Sequence, residues 1–131
     1  MTASALALLA EVPLFADLEP AELELIVVAM HERTFAAGET VTVEGEMADG
    51  FYVIASGEAE ATVRGEPVSA MRTGDHFGEI ALLMGAERTA TTKATTQLDC
   101  YGIARAEFRA LVERNPTIAW KLMGSMSDRL A

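Results

Sequence analysis

With 131 residues, half of them hydrophobic and 23% charged, the chain has the length and composition of one globular domain around a single hydrophobic core. A formal net charge of −10 speaks against nucleic-acid binding, which needs a basic stripe to displace counterions from phosphates, and the scattered acidic residues read as a solvated surface. A single cysteine, Cys100, excludes an internal disulfide and a zinc cluster built from thiolates, and no run approaches the roughly 18 apolar residues of a membrane span. The N-terminal "MTASALALLAEV" lacks the basic start of a secretory leader, so the expected compartment is the cytoplasm.

Ala5 to Val12 reads as a short helix stopped by Pro13. Pro20 suits the first turn of a second helix, where a missing N–H is no loss. Leu23, Ile26, Val27 and Met30 follow at helical spacing and form one apolar stripe. From Arg33 the pattern changes. Glycines recur at 38, 45, 50, 57, 65, 74, 78 and 85, and between them lie segments with strand chemistry: "TVTVE", "FYVIAS", "EAEATVR", "PVSAMR", then "TATTKATT" and "LDCYGIA". Val41 and Val43, or Ala59, Ala61 and Val63, alternate as in a half-buried strand. Many short strands with turns at regular spacing imply a sandwich, barrel or jelly-roll-like pair of sheets. "MADGF" and "RTGDHF" read as turns.

After Ala104 helical periodicity returns. Phe108, Leu111 and Val112 make one face, "NP" at 115–116 breaks the helix, and a last helix carries Ala119, Leu122, Met123, Met126 and Leu130 on one side. That stripe is still running where the sequence ends, so the helix is expected to continue in a longer chain or to finish against a partner. Trp120 falls off the stripe and reads equally as a docking residue or as half-buried.

The stretch with the most chemistry is "FGEIALLMGAERTAT", Phe77 to Thr91. Gly78 lets a ligand approach the backbone. One or two helical turns over "GEIALLMG" would aim unpaired N–H groups at an anion. Arg88 supplies a planar guanidinium that grips two phosphate oxygens at once, and Glu79 suits a sugar hydroxyl. One arginine matches one phosphate charge, not a polynucleotide. By spacing alone, Glu79 and Arg88 fit a plain salt bridge or two surface charges as well.

"FGEIALLMGAERTAT" resembles the phosphate-binding cassette of the cyclic nucleotide-binding domain family, whose motif runs Phe-Gly-Glu-(Ile/Leu)-Ala-Leu and then Arg-(Ala/Ser/Thr)-Ala. "PLFADLEPAELELI", "VEGEMADGFYVIASGEAEATV", "RTGDHFGEIAL" and "ATTKATTQLDCYGIARAEFRALVERNP" extend the resemblance from about Leu9 to Leu130. It implies an α+β, mainly β fold: an antiparallel β-roll of jelly-roll-like type, over about 32–104, with a short phosphate-binding helix inserted. N-terminal helices over about 3–31 and a C-terminal helical pair over about 105–131 flank it, the whole forming one domain. It further implies a regulatory ligand, cAMP with cGMP as second choice, and no enzymatic activity. Arg88 would bind the cyclic phosphate and Glu79 the ribose 2′-hydroxyl. Gly78 and the amides near Ile80 and Ala81 would act through the backbone, and Ala90 would offer an N–H beside the phosphate. Thr89 permits a hydrogen bond to a guanine amino group without demanding one. The C-terminal helices would contact an effector domain or partner, or pair two subunits. No DNA-binding helix pair follows, so direct DNA binding is not expected.

The remaining candidates are weaker. His31 is placed at a helix end and His76 in a turn, with no His-x-His pair, so neither a metal site nor a catalytic set is expected. Cys100 reads as a buried structural thiol. Met84 is read as core packing, with contact to a bound base as the alternative.

Overall fold

The computed structural model describes residues 4–47, 50–78 and 87–130, with the backbone alone at 126 and 128–130. The N-terminal segment folds into α1 (Ala5–Ala10), a 3₁₀ turn (Pro13–Phe15) and α2 (Pro20–Ala29). Pro13 and Pro20 each open an element, where no intrahelical N–H bond is lost. Glu22 reaches back so that its Oε1 accepts the Glu19 N–H at 2.8 Å, capping the first turn of α2. Leu23 and Ile26 are buried while Val27 and Met30 pack against the same core, which is the stripe predicted from their spacing.

The strands are β1 (His31–Phe35), β2 (Thr40–Thr42), β3 (Gly50–Ser56), β4 (Ala59–Val63), β5 (Glu66–Met71), β6 (His76–Phe77), β7 (Thr91–Ala94) and β8 (Leu98–Ala104). Among the described residues they form two antiparallel four-stranded sheets, ordered β1-β8-β3-β6 and β2-β7-β4-β5. The chain passes back and forth between the sheets, so each is closed by residues far apart in sequence: Phe35 lies opposite Leu98, and Gly50 opposite Ala104. This is the expected antiparallel β-roll, mainly β, with helices at both ends of the sequence.

Strand β3 explains why "FYVIA" is a continuous apolar run rather than an alternating one. Phe51, Val53 and Ala55 face the helices and join Leu9, Phe15, Ile26, Phe108, Ile118 and Leu122 in one core. Ile54 faces the second sheet and joins Phe35, Ala59, Ala94, Leu98 and Cys100, with Tyr52 packed beside them. A strand buried on both faces has no polar side to write into the sequence. Phe51 anchors the larger core through an edge-on contact with Phe15, ring centroids 5.9 Å apart. Each fully buried side chain of this size contributes about 1.5–3 kcal/mol.

Helix α3 (Arg105–Arg114) starts directly from β8, and Glu107 Oε1 accepts the Ala104 N–H at 3.1 Å. It ends at Asn115, whose Nδ2 donates to the Leu111 carbonyl, and α4 (Pro116–Leu130) begins at the predicted break. Two polar contacts tie α4 to the N-terminal segment. Lys121 Nζ donates to Glu22 Oε1 at 2.6 Å, and Ser125 Oγ donates to Asp17 Oδ2 at 3.1 Å.

Four local expectations need correction. β1 and β6 are strands that the apolar pattern did not mark: β1 is exposed at four of five positions, and β6 has only two residues. His31 opens β1 rather than closing α2. In β2 Val41 packs against the second core as expected, but Val43 is exposed and the most buried residue is Thr42, whose Oγ1 accepts the Thr92 N–H. In α4 the buried side is Ile118, Leu122 and Ser125: of the expected stripe Leu122 is buried, Met123 is 61% exposed, and the side chains of Met126 and Leu130 lie outside the described residues, while Trp120 is 74% exposed. The bond from Ser125 to Asp17 gives that polar residue a partner on the buried side. Among the described residues no helix is long and apolar enough to cross a membrane.

Candidate functional site

Of the predicted site residues that are described, Gly78 and Arg88 meet at one end of the first sheet. Strand β6 delivers the chain to Gly78, which has a backbone φ of +89°, a conformation that L side chains rarely adopt. Space as well as conformation selects glycine here. A Cβ at Gly78 would lie 2.5 Å from both Arg88 Nη1 and the Gly50 carbonyl oxygen, and 3.4 Å from the Phe51 Cα.

Arg88 arrives from the other side and is fixed before its side chain begins. Its N–H donates to the Glu46 carbonyl at 2.7 Å, and its own carbonyl accepts the Gly45 N–H at 2.9 Å. The preceding residue, Glu87, forms an antiparallel bridge with Met47. From this anchored backbone the half-buried guanidinium reaches the start of β3, where Nη2 donates to the Gly50 carbonyl at 2.9 Å. A guanidinium presents five N–H donors in a rigid fork and stays protonated at any ordinary pH. Bound on one edge to a carbonyl, it offers a cation of fixed orientation. That geometry suits a phosphate oxygen pair better than a lysine ammonium would.

Thr89 follows as an exposed residue, and half-buried Ala90 leads into β7. Glu79, Ile80, Ala81 and Met84, with the helical turns expected around them, lie outside the described residues. Gly50 was missed in the sequence. Its only signal is a glycine placed immediately before an apolar run, which reads as an ordinary turn residue.

The other titratable groups are dispersed. His31 Nε2 and Glu107 Oε2, at the start of β1 and in the first turn of α3, are 2.9 Å apart, and that contact lowers the pKa of the Glu107 carboxyl. Asp99 accepts from Ser56 Oγ at 2.8 Å and from Thr34 Oγ1 at 3.0 Å across three strands, and these bonds lower its pKa, the Ser56 bond most. The hydrogen bond from Lys121 likewise lowers Glu22. Cys100 is 2% exposed, and burial pushes its thiol up to about 12. Among the described residues no three His, Cys, Asp or Glu side chains gather as metal ligands would.

Comparison with known proteins gives the family and the fold. The family model described as "Cyclic nucleotide-binding domain" matches residues 32–115. The cAMP-dependent protein kinase regulatory subunit of Emericella nidulans is 42% identical over 108 residues, 81% of this chain and 26% of that protein. The one of Yarrowia lipolytica is 39% identical over 106 residues, 79% of this chain and 28% of that protein. The chain thus spans about a quarter of the length of the curated relatives it matches. Among solved structures, the N-terminal domain of a transcriptional regulator from Streptomyces coelicolor superposes with a TM-score of 0.88 at 26% identity, covering 94% of this chain and 91% of that one. The regulatory domain of Toxoplasma gondii PKA, crystallised with cAMP, gives a TM-score of 0.74 at 31% identity, covering 82% of this chain and 42% of that one. The chain belongs to the cyclic nucleotide-binding domain family.

Proposed function

We propose that the chain is a regulatory sensor that binds cAMP, with cGMP as the second choice, and that it is not an enzyme. The observation that carries this reading is the seating of Arg88, whose backbone is held by Gly45 and Glu46 and whose guanidinium is held by Gly50 against the bare Cα of Gly78. In this reading Arg88 takes the cyclic phosphate and Gly78 leaves room for it. Glu79 accepts from the ribose 2′-hydroxyl, the amides near Ile80, Ala81 and Ala90 add donors, and Thr89 tunes the choice of base. An oriented cation pre-set by the fold lowers the entropic cost of binding. The similarity to regulatory subunits of cAMP-dependent protein kinases supports cAMP as first ligand.

Occupancy is then relayed through α3 and α4 to an effector domain or partner, the chain acting as one domain. Coupling of this kind is typically about 1–3 kcal/mol. A second reading, a β-roll that meets partners through its helices without nucleotide, is favoured by exposed Trp120 and Met123 on α4. Calorimetric titration with cAMP and cGMP, alongside Arg88→Ala, separates the two. The sensor reading expects saturable binding that the substitution weakens by about 1.5–3 kcal/mol, the worth of a charge-assisted hydrogen bond. Absence of heat and of any melting shift with either nucleotide would reject it.

A further inference from the structure

The inner side of α4 makes two kinds of contact. Ile118, Lys121, Leu122 and Ser125 follow at i, i+3, i+4 and i+7 and so lie on one side of the helix. Ile118 and Leu122 enter the same core as Leu14 and Phe15. Such apolar contact has no preferred direction, so by itself it lets the helix tilt or slide on the core. Lys121 and Ser125 add direction. Lys121 Nζ donates to Glu22 Oε1 at 2.6 Å, with 26% and 17% of the two side chains exposed, and one turn later Ser125 Oγ donates to Asp17 Oδ2 at 3.1 Å. Glu22 Oε1 also accepts the Glu19 N–H, so one oxygen both caps α2 and holds α4. The bond to Glu22 raises the Lys121 pKa, and the charges of Glu22, Glu19 and Asp17 act in the same sense. A lysine of α4 thus faces three carboxylates of the N-terminal segment. Were it withdrawn, those three would be left to repel one another around the first turn of α2.

We propose that Asp17, Glu19 and Glu22 form an acidic cradle for Lys121, and that this contact is a latch: it fixes where α4 rests on the N-terminal segment, and its release frees α4 to tilt while the β-roll stays folded. The inference rests on the reading of α4 as a helix that relays nucleotide occupancy, and it names an ionic contact that the relay works against. The latch opens locally because both sides of it lie on helical segments, so no strand hydrogen bond is lost with it. A nucleotide that favours one position of α4 is, by linkage, helped or opposed by the latch, so breaking the latch changes nucleotide affinity.

The test uses the full chain and follows amide hydrogen exchange residue by residue. Lys121→Met keeps an apolar stem and removes the charge. In it, amides 120–125 should exchange at least about fivefold faster, while those of β3 and β8 stay within about twofold of the original. Lys121→Arg keeps a cation and should keep the protection. Lys121→Met combined with Glu22→Gln should exchange no faster than Lys121→Met alone, because the bond is already gone. Trp120, the single tryptophan of the sequence and 74% exposed beside Lys121, gives a second readout: its fluorescence anisotropy should fall in Lys121→Met and hold in Lys121→Arg. Calorimetry should show a cAMP affinity changed by more than about threefold in Lys121→Met. Unaltered exchange at 120–125 would overturn the latch. Equal acceleration in α4 and the sheets would do the same, since α4 would then open only with the whole domain. A loosened α4 with unchanged cAMP affinity would overturn its place in the relay. If Lys121→Met fails to fold, Glu22→Gln, which keeps an oxygen for the Glu19 N–H, takes its place with the same expectations. If the unaltered protein binds no cAMP, the sensor reading fails while exchange and anisotropy still decide the latch.

Discussion

Replacing Gly78 by alanine is the sharpest probe of the site, because two separate costs fall on one methyl group. The first is conformational. At a φ of +89° an L residue is forced toward the left-handed region, at about 1–2 kcal/mol. The second is steric, because the new Cβ would lie 2.5 Å from both the Gly50 carbonyl oxygen and Arg88 Nη1. The carbonyl belongs to β3 and yields little, so the guanidinium moves and its charged hydrogen bond to Gly50 is strained or lost, at about 1.5–3 kcal/mol. Urea denaturation reads the first cost plus whatever part of the clash the fold absorbs, so a loss of about 2–4 kcal/mol in unfolding free energy is expected. Calorimetry with cAMP reads the second, as a loss of at least about tenfold in affinity. Gly78→Ser should behave the same, since its Cβ occupies the same point. Stability within about 0.5 kcal/mol of the original together with unchanged affinity would refute both the strain at Gly78 and its contact with Arg88.

Cys100 should be inert to thiol reagents at pH 8 in the folded protein, since its pKa of about 12 leaves almost no thiolate and it is 2% exposed. A colorimetric thiol assay should therefore report the rate of unfolding; rapid labelling of the native state would contradict the packing of β8. Asp99 has its folded pKa lowered by Ser56 and Thr34, so its contribution to stability is complete above the unfolded value of about 3.9 and is lost as pH falls through the folded one. Melting curves between pH 2 and pH 6, followed by circular dichroism, should show a steeper acid loss for the unaltered protein than for Asp99→Asn; identical slopes would place Asp99 outside the acid transition.

The sequence made the strands legible where one face is solvated or where a glycine marks the turn. Ala59, Ala61 and Val63 alternate, and "LDCYGIA" coincides with β8. It failed where tertiary context decides. β1 carries His-Glu-Arg-Thr-Phe with a single buried residue, and it is a strand because β8 offers it a partner 65 residues away, as in the Thr34–Asp99 bond. Thr42 is buried because a backbone N–H from β7 satisfies its hydroxyl, a partner that no local pattern encodes. The same holds at the site. Arg88 and Gly78 could be picked out as a cation and a bare backbone, but Gly50 acts through a carbonyl that every residue type possesses.

The net charge of −10 bears on how an anionic ligand reaches such a site. A cyclic phosphodiester carries one negative charge and approaches a protein whose summed field repels it, so Arg88 must prevail at short range. The two interactions differ in range and therefore in their response to salt. Diffuse repulsion from scattered surface carboxylates acts over distances comparable with the Debye length, about 10 Å at 0.1 M salt, and is screened as ionic strength rises. The contact with a half-buried guanidinium, backed by Gly50 and by the anchored chain at 45–46, acts within hydrogen-bond distance and is screened far less. Raising salt from about 0.02 to 0.2 M should therefore speed cAMP association modestly, by about two- to threefold, and leave dissociation nearly unchanged. This is the reverse of the steep salt weakening shown by proteins that bind polyanions through basic surfaces. Stopped-flow kinetics with a fluorescent cAMP analogue would measure both rates. An association rate that falls with salt would mean that a positive field outside Arg88 draws the ligand in, and that one seated arginine is not the whole electrostatic device.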